Sequence, residues 1–263
     1  MNGDLIAELS RLKLDPAYEE LLKDKRVIVV GPAQTLLGSR QGGATDAYDL
    51  VVRFNTVIEY LPFTAELAAD VGTRTDILYC NNEILIDGIL HQRLISHKRF
   101  ARLSDEVGIK YLVSTNNNFT YQGAGRSGVR CYAEQSDFRR FLDEQGVRLG
   151  FRMLFSTPDL VRRWLSGHIG RTGFLAIVDL LCYRLSRLHI TGMTFYHQGG
   201  HLFLKDSISE LHPLGNHRGE LPTEPHVLGH NSYLELEVMR ALAQHFRSRL
   251  EFDAGLQARL EHE

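Results

Sequence analysis

Short runs of β-branched and other apolar residues recur along the chain, and each run ends in glycine or in polar residues. In the first run, residues 27–30, four apolar residues are followed directly by Gly31 and Pro32. Continuous apolar runs of this length are typical of strands that are covered on both faces of a sheet. The pattern predicts strands at residues 27–30, 50–53, 77–80, 109–114, 152–155 and 188–191.

Segments with helical spacing or helix-start residues lie between these strands. The alternation predicts a Rossmann-like α/β fold with a mainly parallel sheet and helices on both faces. No linker-like stretch divides the chain, so we expect one domain over residues 1–263, with an N-terminal helical segment at 1–25 and the core at 26–263. The predicted helices are 4–24 with a break near Pro16, 65–70, 83–103, 134–146, 158–166, 172–186 and 231–248, and residues 199–229 are predicted to be rich in loops.

The composition indicates a folded globular chain. A hydrophobic fraction of 43% is sufficient for a core and argues against disorder. The formal net charge of −2 gives no reason to expect nucleic acid as a partner. The N-terminus lacks the apolar segment of a signal peptide, and no run reaches the roughly 18 apolar residues that a membrane span needs. We therefore expect no transmembrane segment, which leaves peripheral contact with a membrane open.

Residues at the carboxyl ends of the first two predicted strands have the chemistry of a nucleotide site. Ligands of open α/β sheets sit just beyond the carboxyl ends of the strands. There, glycine permits close approach of the backbone, arginine supplies a fixed charge, and asparagine can read the polar edge of a ring. No G-x-G-x-x-G follows residues 27–30, which argues against a dinucleotide-dependent oxidoreductase. The candidate residues at these two strand ends are Gly31, Gln34, Thr35, Ser39, Arg53 and Asn55.

Two further motifs lie at the starts of predicted helices. Thr172 and Gly173 open an apolar helix, and the backbone N–H groups at such a start form an anion site. His230 and Glu235 form an H-x4-E pattern at the head of the last long helix, which either of the two polar residues after His230 can cap. Read alone, the first motif is also an ordinary helix cap and the second a solvated loop histidine.

In their order along the chain, these motifs resemble those of the eukaryotic-type sialyltransferase family. The family's long motif contains VVG, a Ser, an Asp, V-x-R-x-N and D-V-G-x-[KR]-T, and matching pieces occur here in that order. The turn at residues 170–173 resembles the short motif, although Arg171 stands where the family usually has Ser, and H-x4-E resembles the very short motif. The residues that match the long motif are Val29, Val30, Gly31, Ser39, Asp49, Val51, Arg53, Asn55, Asp70, Val71, Gly72, Arg74 and Thr75.

The resemblance implies a variant GT-A fold and an inverting transfer of sialic acid from CMP-sialic acid to a hydroxyl of a glycan or glycolipid. It implies that His230 is the general base, a role that suits an unperturbed pKa near neutrality. Asp70, Gly72 and Glu235 would support the site.

The resemblance also assigns a set of residues to the CMP-sugar donor. Gln34 or Thr35 would stand in for the Asn that the family carries in the loop after VVG. His197 is the nearest match to the family's aromatic-His motif, and the histidines between 201 and 226 compete with it. The implied donor-binding residues are Gly31, Gln34, Thr35, Ser39, Arg53, Asn55, Thr172, Gly173 and His197.

We expect neither a metal nor a cofactor. The chain contains no D-x-D, and its histidines have no fixed metal-ligand spacing. A CMP-sugar carries one phosphate rather than two, so less leaving-group charge needs to be neutralised, and His and Arg would suffice at the phosphate.

Cysteine usage predicts a soluble, disulfide-free protein in the cytoplasm. Cys80, Cys131 and Cys182 are odd in number and far apart, which is typical of reduced core thiols. The disulfide that the resemblance would imply has no counterpart, because Val27 or Ile28 occupies the position of its first cysteine.

Two alternatives stay open at this stage. Kdo is another 2-keto acid sugar activated as a CMP ester, so a Kdo transferase acting on a lipopolysaccharide or capsule acceptor has the same requirements. A non-catalytic CMP-binding module is a rival of another class, and the H-x4-E pattern argues against it. The acceptor, the linkage and the oligomeric state do not follow from the sequence.

Overall fold

The computed structural model describes residues 2–80, 106–115, 140, 143–144, 146, 149–154, 156–195 and 231–262. Among these residues, seven strands form a single sheet in which every pairing is parallel. The predicted Rossmann-like α/β fold is therefore confirmed. The strands are β1 (Arg26–Val30), β2 (Leu50–Phe54), β3 (Ile77–Cys80), β4 (Tyr111–Ser114), β5 (Gly150–Met153), β6 (Arg187–Thr191) and β7 (Leu250–Phe252).

The sequence predicted six of these strands to within two residues at each end. It did not predict β7, because a three-residue strand with a central Glu carries no periodic signal. The strand order is β5-β4-β3-β2-β1-β6-β7, so the direction in which the chain adds strands reverses between β1 and β6. Ligands of doubly wound sheets bind in the crevice outside the carboxyl ends at such a reversal.

The predicted helices agree with the structure better at their first residues than at their last residues. The predicted break near Pro16 is real, since Asp15 caps the second helix by accepting from the N–H of Tyr18 at 3.0 Å. The helices are α1 (Asn2–Leu9), α2 (Pro16–Leu22), α3 (Gly42–Asp46), α4 (Ala65–Val71), α5 (Ser156–Trp164), α6 (Thr172–Leu181), α7 (Ser232–His245) and α8 (Ala254–His262), with 3-10 turns at Gln34–Leu36 and Asn55–Tyr60.

The helix predicted at 172–186 ends five residues early, at Leu181. Arg249 explains this end, because its guanidinium donates to the carbonyl oxygens of Leu181 and Tyr183, both at 2.7 Å. A cation on the last carbonyls is a usual way to finish a helix. The helix predicted at 83–103 and the loops at 199–229 lie outside the described residues, as does most of 134–146.

Each face of the sheet has its own apolar core. Alternate residues of the central strands, such as Val29 and Val52, pack with α6 and α7 on one face. Ile28 and Val51 point to the other face, where they pack with Val71 of α4. Successive side chains of a strand point to opposite faces, so both core clusters follow from one backbone.

A buried charged network fastens the N-terminal segment to the sheet. Arg152 of β5 pairs with Asp179 of α6, and the Tyr79 hydroxyl donates to the same carboxylate at 2.7 Å. Tyr18 of α2 joins through its hydroxyl, 2.9 Å from that of Tyr79. Burial raises the pKa of the Asp179 carboxyl, and the positive charge of Arg152 opposes that rise. This network thus connects four elements of the fold, namely α2, β3, β5 and α6.

Removing the cation of this network should destabilise the fold strongly. Arg152→Met leaves the Asp179 carboxylate buried without its partner, which typically costs about 3–5 kcal/mol. Urea denaturation measures the loss. The control is Arg163→Met, which removes an exposed ion pair with Glu8 and should cost less than about 1 kcal/mol. Equal losses in the two variants would contradict the importance assigned to the buried pair.

Candidate active site

The two strands on either side of the reversal meet through their backbones at the carboxyl edge. The N–H of Gly31, directly after β1, donates to the carbonyl oxygen of Thr191 at 2.7 Å. A Cβ on Gly31 would lie 2.2 Å from the carbonyl oxygen of Gly192, which itself has a φ of +65°. Residue 31 must therefore be glycine because the end of β6 leaves no room for a Cβ, whether or not a ligand also approaches the backbone there. No side chain from these two positions fills the mouth of the crevice.

Two predicted site residues from different motifs are in direct contact. Asn55 follows β2, and its side-chain Nδ2 donates to Oγ1 of Thr172 at 3.2 Å. Asn55 has a φ of +47°, a left-handed conformation that Asn adopts more readily than most residues. Because Thr172 is the first residue of α6, this contact joins the long motif to the turn of the short motif.

Met193 links the two predicted glycines of the site. Its Sδ lies 2.7 Å from the Cβ position of Gly31, and its Cε lies 2.7 Å from the Cβ position of Gly173. The structure thus brings Gly31, Asn55, Thr172 and Gly173 together at one edge of the sheet. No sequence signal pointed to Met193.

The start of α6 is the part of this edge best suited to an anion. The first backbone N–H groups of a helix have no partner within the helix, and the helix dipole is positive at that end. One donor there is already used, since the N–H of Arg171 donates to Oε1 of Glu235 at 2.8 Å. The N–H groups of Thr172 and Gly173, which follow, belong to the first turn, whose N–H groups have no partner within a helix.

Glu235 connects the H-x4-E helix to this turn. Its Oε2 accepts from the Arg171 guanidinium at 2.8 Å, and its side chain is 1% exposed. Burial raises the pKa of the Glu235 carboxyl, and Arg171 opposes that rise by charge and by hydrogen bonding. Asn231 caps this helix, accepting from the N–H of Leu234 at 3.1 Å. The predicted supporting residue therefore touches the predicted donor turn.

Arg53, a predicted donor-binding residue, directs two of its guanidinium nitrogens to backbone carbonyl oxygens inside the protein. Its Nε donates to the carbonyl oxygen of Arg74 at 3.0 Å, and its Nη2 donates to the carbonyl oxygens of Val71 and Gly72. Burial lowers its pKa to about 10. Arg53 is 1% exposed, and these hydrogen bonds tie β2 to the end of α4.

Asp70 and Ser39 also serve the scaffold of the loop after β1. The Asp70 carboxylate accepts from the N–H groups of Gly38 at 2.7 Å and Arg40 at 3.0 Å, which hold its pKa below the usual range. The Ser39 hydroxyl donates to the carbonyl oxygen of Asp70 at 3.3 Å rather than pointing to a ligand. Gly72 has a φ of +81°, and a Cβ there would lie 2.6 Å from a carboxylate oxygen of Asp46.

The remaining predicted residues have different outcomes. Gln34 and Thr35 are exposed on the 3-10 turn that follows β1, at the rim of the same edge. His230 and His197 lie outside the described residues, as do His201, His212, His217 and His226.

Sequence reasoning missed Asp253, which orders the end of β6. Its carboxylate accepts from the N–H of Gly192 at 2.7 Å and from the N–H of Leu256 at 2.8 Å. The second contact caps α8, so an Asp just before a helical segment was the available signal.

Three further observations concern only the described part of the chain. No group of three or more His, Cys, Asp or Glu side chains there is arranged to hold a metal ion. Cys80 and Cys182 are free thiols, and Cys131 is not among the described residues. No helix there combines the length and the apolar character needed to cross a bilayer.

Adding one methyl group at the strand reversal should damage the fold. Gly31→Ala places a Cβ against the backbone of Gly192, where no flexible side chain can yield, and overpacking of this kind costs about 1–3 kcal/mol. Chemical denaturation checks the loss. Gly43→Ala is the matched control, because nothing lies within 4 Å of its Cβ position in α3, and it should be neutral or stabilising by up to about 1 kcal/mol. A neutral Gly31→Ala would show that the two strand ends are not tightly packed.

Comparison with known sequences supports the family resemblance over the first part of the chain. Residues 4–119 match glycosyltransferase family 29 (sialyltransferase). A segment of 57 residues is 44% identical to "Sialyltransferase-like protein 2" of Oryza sativa subsp. indica. That segment covers 22% of this chain and 13% of the rice protein, so the relative is matched over a small part of its length.

Several solved sialyltransferases have a similar fold. A mammalian sialyltransferase has a TM-score of 0.51 at 18% identity, with 97% of this chain and 79% of that chain covered. The monofunctional α-2,3-sialyltransferase Cst-I of Campylobacter jejuni has a TM-score of 0.51 at 13% identity, with 94% and 81% covered. CstII of the same organism, solved with the substrate analogue CMP-3FNeuAc, has a TM-score of 0.51 at 12% identity, with 87% and 81% covered. The resemblance to the sialyltransferase family is thus confirmed, because residues 4–119 match the family and the chain shares its fold with these solved sialyltransferases.

Proposed function

We propose that the protein is a glycosyltransferase that transfers sialic acid from its CMP ester to a hydroxyl group of a glycan. The contact between Asn55 and Thr172 carries this proposal, because it joins two family motifs at the start of α6, at the strand reversal where ligands of such sheets bind. The similar C. jejuni protein solved with CMP-3FNeuAc supports a CMP-sugar as the donor class.

The donor phosphate would bind at the start of α6. The backbone N–H groups of Thr172 and Gly173 and the positive end of the helix dipole suit one phosphate group. The Asn55 amide and the Thr172 hydroxyl, already oriented by their mutual hydrogen bond, add polar contacts beside it. Arg53 is left out of this arrangement, because its Nε and Nη2 donate to internal carbonyl oxygens.

The proposed chemistry is a direct displacement at the anomeric carbon. His230 takes the proton of the acceptor hydroxyl, the acceptor oxygen bonds to the anomeric carbon, and the bond to the phosphate oxygen breaks as CMP leaves. Attack opposite to the leaving group inverts that carbon. The sugar's own carboxylate stabilises the positive charge that develops, and the dipoles at α6 stabilise the departing phosphate.

The proposal also holds that the reaction needs no metal. The leaving group bears one phosphate, whose charge the helix start and nearby polar groups can balance. Transfer in EDTA therefore belongs to every assay below, and loss of activity on chelation with recovery on adding manganese or magnesium would reject this part of the mechanism.

CMP should raise the melting temperature of the protein more than UDP does. Ligand at a hundredfold excess over its Kd stabilises by about 2.7 kcal/mol. Asn55→Ala and Thr172→Ala should each weaken CMP binding by about tenfold, which is the usual weight of one hydrogen bond to a charged or polar ligand. Thr64→Ala, which removes a threonine hydroxyl from the start of α4, is the control and should leave affinity unchanged. Calorimetric titration gives the values, and equal stabilisation by UDP and CMP would reject a cytidine site.

The same titration with CMP-sialic acid and CMP-Kdo decides the donor sugar. If the protein binds CMP-Kdo more tightly than CMP-sialic acid and transfers Kdo, then Kdo is the donor sugar and the assignment of the CMP site stands. Binding of CMP without transfer of either sugar would favour the non-catalytic module.

His230→Ala should reduce turnover by roughly a hundred- to ten-thousandfold while CMP affinity changes little, because a general base serves the acceptor. His245→Ala, at the C-terminal end of α7, is the control and should keep full turnover. Initial rates with one donor and one acceptor make the comparison. Near-normal turnover in His230→Ala, together with an essential histidine at 197, 201, 212, 217 or 226, would move the base to that position.

A further inference from the structure

The start of α6 is held from two sides by residues of two other elements. On one side, Asn55 of the β2 end donates to the hydroxyl of Thr172 at 3.2 Å. On the other side, both carboxylate oxygens of Glu235 in α7 are used on Arg171, one on its backbone N–H and one on its guanidinium, each at 2.8 Å. Two adjacent residues of the turn are therefore fixed by separate elements.

Glu235 binds the backbone N–H of the residue that precedes the first turn of α6. Arg171 is the N-cap residue of α6, and its side chain makes no capping hydrogen bond within the helix. The carboxylate of Glu235 accepts from the N–H of Arg171 itself and forms an ion pair with its guanidinium, with side-chain exposures of 15% for Arg171 and 1% for Glu235. Buried pairs of this kind demand accurate geometry, since a displaced partner leaves a charge without compensation.

Along the sequence, Arg171 directly precedes the proposed donor turn, and Glu235 lies in the first turn of the helix that follows His230. Thr172 and Gly173 follow Arg171 directly, and α7 begins at Ser232 after its cap Asn231, the residue next to His230. Arg171 stands where the sialyltransferase pattern usually has Ser, whose short hydroxyl cannot form an ion pair with a carboxylate.

We propose that Arg171 and Glu235 are positioning residues, which set the start of α7, and with it the attachment point of His230, relative to the donor turn. This rests on the proposed function, because it assigns the phosphate to the start of α6 and the base to His230. Both residues act through their neighbours. Their loss should change the rate of transfer more than it changes donor affinity.

Kinetics of four variants test the proposal. In Glu235→Gln the amide oxygen can still accept from the N–H of Arg171, so CMP affinity should stay within about threefold of wild type. The ionic contact is lost, and kcat should fall at least tenfold. Arg171→Ser should lower kcat similarly, Arg171→Lys should recover part of it, and the double variant Arg171→Ser with Glu235→Gln should be no worse than the poorer single variant.

The control is Glu237→Gln, which removes an ion pair with Arg240 on the same helix without touching α6. It should leave kcat and CMP affinity unchanged. CMP affinity comes from calorimetry, folding from the melting temperature, and kcat and KM from initial rates with the donor varied.

The outcomes separate this inference from the proposed function. Glu235→Gln that melts lower but keeps wild-type kcat and KM would reduce the pair to a structural contact and overturn the inference. Equal losses of CMP affinity and kcat would also overturn it, because they would place the pair in donor binding alone. Failure of wild-type protein to bind CMP or transfer a CMP-activated sugar would overturn the proposed function, and the inference with it.

Discussion

The parallel pairing of β1 with β6 is the constraint on which the rest of the site depends. Because it reverses the order of strands, it opens a crevice at the carboxyl edge. The hydrogen bond from Gly31 to Thr191 continues the pairing past the strand ends, and the missing side chains of Gly31 and Gly192 let the two backbones meet. The start of α6 and the end of β2 then lie beside the same opening.

The charged residues of the long motif are used mainly inside the protein. Arg53 gives three hydrogen bonds to carbonyl oxygens, and the Asp70 carboxylate accepts from two backbone N–H groups. Arg74 likewise donates to the carbonyl oxygens of residues 46, 48 and 49. A buried charge needs such partners, because leaving water is costly. In the described part of the chain, these charged side chains of the motif therefore form a rigid frame for the loops.

Local sequence patterns predicted the strands and the residues at their ends, since β-branched runs and the turns after them are local signals. The same patterns also indicate to which face of the sheet the Arg53 side chain points. Successive side chains of a strand point to opposite faces, so Arg53 lies on the face of Val51 and not on that of Leu50 and Val52.

Local sequence patterns could not predict contacts between segments that are far apart in the chain. The hydrogen bond between Asn55 and Thr172 spans 117 residues, and the pairing of Arg171 with Glu235 spans 64. The end of α6 is set by Arg249, and the end of β6 by Asp253, each from a different element. The family motifs supplied part of this information. Because they assigned Asn55 and Thr172 to one donor site, they predicted that these residues lie close together, which periodicity alone does not predict.

The pairing of β1 with β6 also sets an order of events during synthesis. Arg26 pairs with Arg187, so β1 leaves the ribosome long before its second neighbour exists. At about 5–20 residues per second, that delay is roughly 10–30 s. Meanwhile β1 can pair with β2, but its other edge presents unpaired N–H and C=O groups beside apolar side chains. The nascent chain thus carries an exposed strand edge until α6 and β6 emerge together, which makes this interval the time when it most needs protection from aggregation.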